Sequence, residues 1–273
     1  MYCIGRVEAA LLAMRLPNVR PVSRRALVVL ALFALALACA GYAAAQRRGF
    51  FGNPFSESQP TPPNTEFVFA RVQFNSGGFG FRGGGGWAHD YPTAEHHILE
   101  LTSRLTRIHV EEQSYVIVQL ESEEIFQYPF LYFSEVGEMN LTPSEIENFR
   151  AYLGRGGIAM IDDFDSPQTL AWFQSQMRKV FPERDFEEMQ VDHPIFHAAF
   201  DVDTKLVVPP YQYGYPPRFY GYFDDRRRLG MIINHNNDIG DFWEWLDEPR
   251  LPLEGTVAGV RLGINYLLYS MSH

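Results

Sequence analysis

Cysteine is nearly absent: the 273 residues contain two, Cys3 and Cys39. Both lie in the first 45 residues, ahead of a small-residue cleavage pattern at Ala43-Ala44-Ala45. The rest of the chain has none, which excludes disulfide staples, a thiolate nucleophile and Cys-ligated zinc there. Basic side chains are also scarce, with 23 Lys plus Arg against 33 Asp plus Glu and a formal net charge of −10. Loss of the leader, with Arg6, Arg15, Arg20, Arg24, Arg25 and Glu8, leaves the remainder more acidic still. Such a surface repels a phosphate backbone, so nucleic acid is not an expected partner. There is no G-x-S-x-G elbow and no H-E-x-x-H pair, so serine-hydrolase and zincin chemistry find no support. No internal repeat is visible. At 46% apolar residues the chain is too apolar for disorder and long enough for one large domain or two small ones.

The leader is the first positive signal. Arg24-Arg25 precede an uncharged apolar run over 26–45, followed by the Ala43–Ala45 site and Gln46. That order is the order of a secretory signal. Its length also suits an uncleaved membrane anchor. Met14 is an alternative start, and Ser23–Leu27 fits a twin-arginine signal only loosely. Either way residues 46–273 are expected outside the cytoplasm, periplasmic or otherwise exported, with membrane contact only through the N-terminal segment. Residues 46–66 are rich in Pro, Ser, Asn and Gln, without periodicity, and read as a flexible linker.

A single domain is expected over 67–273. Phe67–Phe74, Tyr115–Leu120, Phe130–Phe133, Ile158–Ile161 and Leu229–Asn234 read as strands. Between them lie helical patterns: Ile98, Leu101, Leu105 and Ile108 from Thr93, Ile146, Phe149 and Leu153 after the capping box Thr142-Pro143-Ser144-Glu145, and Leu170, Phe173, Met177 and Val180 after Ser166-Pro167. Val257, Val260, Ile264, Leu267, Leu268 and Met271 give a closing helix an apolar face. Short apolar strands alternating with longer helices predict an α/β sandwich with a mainly parallel sheet, Ile158–Ile161 being a central strand.

Several segments together resemble a family known only as domain of unknown function 4159: FARVQF, W-x-x-D-Y-P at Trp87–Pro92, YPFLY at Tyr128–Tyr132, LTPSEIENFRAYLGRGGIAMIDD at Leu141–Asp163, DHPIF at Asp192–Phe196, and the late GD-F-WEW and LGINYLLY stretches. The resemblance covers nearly all of 67–273 and points to a bacterial protein. It implies a three-layer fold with a flavodoxin-like sheet, similar to class I glutamine amidotransferases, and no established activity. Amidotransferases of that fold use a cysteine nucleophile, which this domain lacks, so the one mechanism suggested by analogy is removed.

Ligands of open parallel sheets bind beyond the carboxyl ends of the strands. The polar residues there are Trp87, Asp90 and Tyr91 after the first strand, Glu121 and Glu123 after the second, Glu135 after the third, Asp162 and Asp163 after the fourth, and His235, Asp238 and Asp241 after the last. The candidate ligand-binding set is Trp87, Asp90, Tyr91, Asp162, Asp163, His235, Asp238 and Asp241. Extended backbone turns Asp162 and Asp163 to opposite faces. One is expected to cap the helix from Ser166, and the other to meet Trp87, Asp90 and His235 or Asp238, pairing a carboxylate with an imidazole. Crowded carboxylates favour metal binding or proton transfer. The plainer alternative is that each is a helix cap.

Other motifs carry less. Gly78-x-Gly80-x-x-Gly83 matches the dinucleotide fingerprint, but Trp87–Pro92 separates it from the next helix, and a mobile loop is the better reading. His193 and His197 lack a third ligand in sequence, and His96 and Glu100 read as a solvated pair. The segment 209–223 holds seven aromatic rings, followed by Arg226, Arg227 and Arg228. It suits either a contact surface for a partner or sugar, or a loop packed on its own domain. The expected function is an exported domain that binds a small molecule, glycan or envelope protein. The alternative is a metal- or carboxylate-dependent hydrolase of an envelope polymer or sugar, using Asp162, Asp163, His235 and Asp238. The residues name neither cofactor nor substrate.

Overall fold

The computed structural model describes residues 64–76, 86–209 and 215–273. The expected leader 1–45, the linker through residue 63, Gly78, Gly80 and Gly83, and Tyr211 and Tyr213 lie outside the described residues. Among the described residues no helix is long and apolar enough to cross a membrane.

The described residues form a mixed α/β structure on seven strands: β1 (Phe69–Gln73), β2 (Tyr115–Gln119), β3 (Phe130–Phe133), β4 (Ile158–Phe164), β5 (Glu187–Glu188), β6 (Arg218–Phe223) and β7 (Leu229–His235). Their order is β2-β1-β3-β4-β7-β6-β5. The first five in that order run parallel. The sheet is extended by β6, antiparallel to β7, and β5, antiparallel to β6. As its apolar run predicts, β4 is central and parallel, with Ile161 opposite Phe133 of β3 on one side and Ile233 of β7 on the other. The α-helices are α1 (Thr93–Leu105), α2 (Pro143–Gly154), α3 (Ser166–Val180), α4 (Ile239–Glu244) and α5 (Leu253–Ser272). α1, α4 and α5 pack on one another, while α2 and α3 pack together.

Local signals set α2. The Thr142 side chain accepts from Glu145 N, and the Glu145 carboxylate accepts from Thr142 N at 2.8 Å, the reciprocal capping box. Past the helix end Gly156 adopts φ 107°, a left-handed conformation natural to glycine.

Tertiary packing overrides pattern elsewhere. α1 ends at Leu105, which is 53% exposed, so Ile108 lies beyond the helix and is not part of its face. On α5 Val257 and Met271 point outward, Val260, Ile264 and Leu267 are buried as their period predicts, and the buried surface extends to Ala258, Gly259, Leu262, Gly263 and Tyr266. The reason for that extension is Trp243 of α4. Its indole donates to Gly259 O at 3.2 Å, and a Cβ on Gly263 would lie 2.5 Å from the ring. Trp243 also meets Phe69 and Tyr132, with ring centroids 6.2 and 5.9 Å apart. A six-residue helix has no stability of its own; burial of Phe242 and Trp243 holds α4 on the sheet. Within the aromatic segment, residues 218–223 form β6 rather than a loop. Tyr220 and Tyr222 lie opposite Ile233 and Met231 of β7, a pairing the surrounding prolines obscure in sequence.

Candidate functional site

The carboxyl ends of β1, β3, β4 and β7 share one edge of the sheet, and a cavity of about 440 Å³ opens there. Its lining includes His89, Glu135, Glu138, Asp163, Asp238 and Asp241, together with Phe164, Thr169, Tyr215, Asn236 and Asn237.

The loop after β1 is built on Arg71, which stands in the middle of that strand between Ala70 and Val72 and is fully buried. Its Nε donates to Glu95 of α1, also fully buried. Its Nη1 donates to the carbonyls of Trp87 at 2.9 Å and His89 at 2.7 Å. The guanidinium lies 4.7 Å from the Tyr132 ring centroid and 5.9 Å from that of Tyr91. Arg71 thereby fixes the backbone that presents His89 and Asp90. Gly86 permits the close approach of this loop to β3, since a Cβ there would lie 2.4 Å from that of Glu135.

His89 Nδ1 donates to Asp163 Oδ2 at 2.9 Å, and Ser134 donates to the same oxygen at 3.1 Å. Asp163, then Asp90, hold the imidazolium, pushing its pKa up to about 11. Asp90 Oδ1 stands 3.0 Å from the same Nδ1, whose single hydrogen serves Asp163. Neither oxygen of Asp90 accepts a hydrogen bond, although its side chain is fully buried. Burial, and after it the charges of Asp163 and Asp241, raise its pKa.

Asp162 and Asp163 do serve different partners, but not by continued extended geometry. Asp163 is left-handed at φ 55°, and the β4–β7 register shifts between Ile161 and Phe164. Asp162 is fully buried and accepts from Ile239 N at 2.9 Å, Gly240 N at 3.0 Å, Asn234 Nδ2 at 3.2 Å and the Tyr132 hydroxyl at 3.2 Å. Burial first, then Asp163, push its pKa up to about 8 against the pull of these donors. It thus anchors the start of α4. Neither aspartate caps α3: Ser166 N donates to Asn236 Oδ1 at 2.9 Å instead.

His235 does not join the carboxylates. Its Nε2 donates to Ser166 O at 2.9 Å, and its ring lies 5.1 Å from that of Phe164 and 6.2 Å from that of Tyr220. Burial lowers its pKa. The imidazole of the cluster is His89, inside the W-x-x-D motif, and the signal that could have found it is that motif's position beyond β1. Asp238 is a cap as well as a cluster member, since its Oδ1 accepts from Asp241 N at 3.0 Å. It is nearly fully buried, and burial with the charges of Asp163, Asp90, Asp241 and Asp162 raises its pKa well above the ordinary value. Asp241 Oδ1 accepts from the Trp245 indole at 2.8 Å.

Trp87 is buried and enters the site through its carbonyl, and Tyr91 packs edge-on against Tyr115 at 5.7 Å. Glu135 and Glu244 were outside the candidate set. Burial, then Asp163, push Glu135 up to about 8. Burial, then Asp90, push Glu244 up to about 7. Away from this edge, Glu100 pairs with Arg104 rather than His96, which contacts the Tyr115 hydroxyl at 3.1 Å. His193 caps a short 3-10 turn.

Among the described residues, two groups of side chains converge closely enough to hold a cation. The ligand atoms of His89, Asp90, Asp163 and Asp238 all lie within 4.8 Å of one another, as do those of Asp90, Asp241 and Glu244. Ligands on opposite sides of an ion are two bond lengths apart, about 4–5 Å for magnesium to calcium. Asp90, Glu135, Asp163, Ser166 and Asn236, all on this edge, also adopt positive φ between 54° and 74°. Each costs on the order of 1 kcal/mol, and such strain gathers where surrounding structure holds side chains for a purpose.

Fold and site together define an α/β domain with a buried, strained carboxylate cluster at the carboxyl edge of a mostly parallel sheet. Residues 68–271 match the family model described as domain of unknown function (DUF4159), and the chain belongs to that family. No curated protein matches the chain.

Proposed function

We propose that this is an exported domain that binds a divalent cation through His89, Asp90, Asp163 and Asp238 and uses it to hold a polar ligand of the cell envelope. The supporting observation is Asp90: a fully buried carboxylate with no hydrogen bond at either oxygen, facing three more ligand atoms. A buried charge whose one ion-pair partner, the His89 imidazolium, already gives its hydrogen to Asp163 is costly unless a proton or a cation neutralises it. One nitrogen and several carboxylate oxygens suit manganese, magnesium or calcium over a thiophilic metal. A bound cation also reverses the local sign, so that a cavity which repels anions accepts hydroxyl, carbonyl or anionic oxygens of a ligand.

The same reading takes the fold as a three-layer sandwich of flavodoxin-like type, similar to the glutamine-amidotransferase class. Its support is the order of the five parallel strands, 2-1-3-4-5 when counted along the chain, with a switch point between β1 and β3. Export rests on Arg24-Arg25, the apolar run and Ala43–Ala45. The second reading is a metal-dependent hydrolase of an envelope polymer or sugar. Glu135 favours it: a cavity-lining carboxyl with a pKa near 8 is suited to proton transfer at neutral pH.

Thermal unfolding of the full chain tests the cation. Manganese, magnesium or calcium should raise the melting temperature over that in a chelator, by about 2.7 kcal/mol of stability at a hundredfold excess over Kd. Asp163→Asn should remove the effect. If none of the three cations shifts the wild-type melt, the reading fails. Intact-mass measurement of the mature protein tests export, and a soluble cytoplasmic chain that keeps residue 1 or 14 would refute it.

A further inference from the structure

We infer that the cluster is a two-cation centre in which Asp90 bridges the ions, one bound with His89, Asp163 and Asp238 and the other with Asp241 and Glu244. This deepens the cation-binding reading and rests on it. The two convergent groups share one residue, Asp90. Both of its oxygens are buried and without hydrogen bonds. A carboxylate that served a single ion through one oxygen would leave the other buried and unsatisfied, at a cost of roughly 1–3 kcal/mol. Two ions use both oxygens.

The surroundings fit this division. A Cβ on Gly240 would lie 2.6 Å from Asp90 Oδ2, so the absence of a side chain there gives that oxygen its room. Oδ1 is the oxygen beside His89. The ligands on both sides are oriented by further hydrogen bonds: Ser134 to Asp163, the Asp241 amide to Asp238, and the Trp245 indole to Asp241. Such outer contacts fix ligand direction in metal sites. Asp238, Asp241 and Glu244 come from the start and body of α4, so one short helix supplies ligands to both positions. Paired cations about 3.5–4 Å apart clamp one oxygen between them, which makes the ligand class an anionic or water-derived oxygen shared by both metals.

Equilibrium dialysis of the full chain against manganese, with the bound metal counted and its paramagnetic resonance spectrum recorded, tests this. The expected result is two manganese ions per chain, with a spectrum showing exchange coupling. Glu244→Gln, at a half-buried position, should bind one ion and lose the coupling while keeping the wild-type circular dichroism melt in chelator. Asp90→Asn should lose the coupling and weaken both sites. One ion per wild-type chain overturns the two-cation centre but leaves the single site standing. No bound ion overturns both. Two ions retained by Glu244→Gln would put the second elsewhere and also overturn the inference.

Discussion

Replacement of Arg71 separates what holds the fold from what holds the site. Arg71 and Glu95 are both fully buried and paired, yet Arg71 Nη2 and Glu95 Oε2 have no hydrogen-bond partner. The pair is therefore imperfectly satisfied. Breaking a buried ion pair from one side leaves an uncompensated charge and costs about 3–5 kcal/mol, whereas exchanging both partners for apolar residues of similar size is often neutral or stabilising. Arg71→Met and Glu95→Leu should each lower the urea unfolding free energy by about 3–5 kcal/mol, a large part of a typical 5–15 kcal/mol total. The double variant should recover most of that loss. It cannot recover the two hydrogen bonds from Nη1 to the Trp87 and His89 carbonyls. With that support gone, manganese affinity should fall roughly 10- to 100-fold, as when outer contacts of other metal sites are removed. Urea titrations of the four proteins, read with their slopes, give the coupling energy, and metal titration of the double variant gives the affinity. A single variant that costs less than about 1 kcal/mol, or a double variant with wild-type manganese affinity, would refute the reasoning.

Between pH 6.5 and 8 the metal-free chain should lose stability as pH rises. Glu135 and Asp162 are pushed up to about 8, Glu244 to about 7 and His89 to about 11, so the native state there binds protons that the unfolded chain has released; a melting temperature flat or rising over that interval in chelator would contradict the burial of the three carboxyls and the pairing of His89 with Asp163. Gly240→Ala would bring a methyl group within 2.6 Å of Asp90 Oδ2 and 2.7 Å of the Tyr132 hydroxyl, and should weaken manganese binding at least tenfold by turning Asp90 aside, measured by calorimetric titration. Asn265→Ala should cost about 2–4 kcal/mol in urea unfolding, because the Asn265 amide accepts from Ala199 N and Phe200 N and donates to the carbonyls of Phe196 and Phe200.

What the sequence by itself determined was local or strictly periodic. Thr142 and Glu145 cap each other three residues apart, so their bond is legible without knowledge of anything else. Ile158–Ile161 is apolar on both faces, which only a covered central strand satisfies. The rule that ligands gather beyond parallel strand ends was enough to bring Asp90, Asp163, Asp238 and Asp241 into one candidate set. The tertiary structure decided the rest. It turned His235 toward the backbone of α3 and put His89 among the carboxylates, because the left-handed bend at Asp163 aims that side chain at a loop 74 residues away in sequence. It made Arg71, lodged in a buried strand between Ala70 and Val72, the support of that loop. It buried a glycine-lined face of α5 as well as the periodic one carrying Val260, Ile264 and Leu267, because Trp243 needed the space. Periodicity and capping act over three or four residues. Burial of a charge, the fit of an indole and the convergence of carboxylates depend on which distant segments fill the same volume, and that is settled only when the chain has folded.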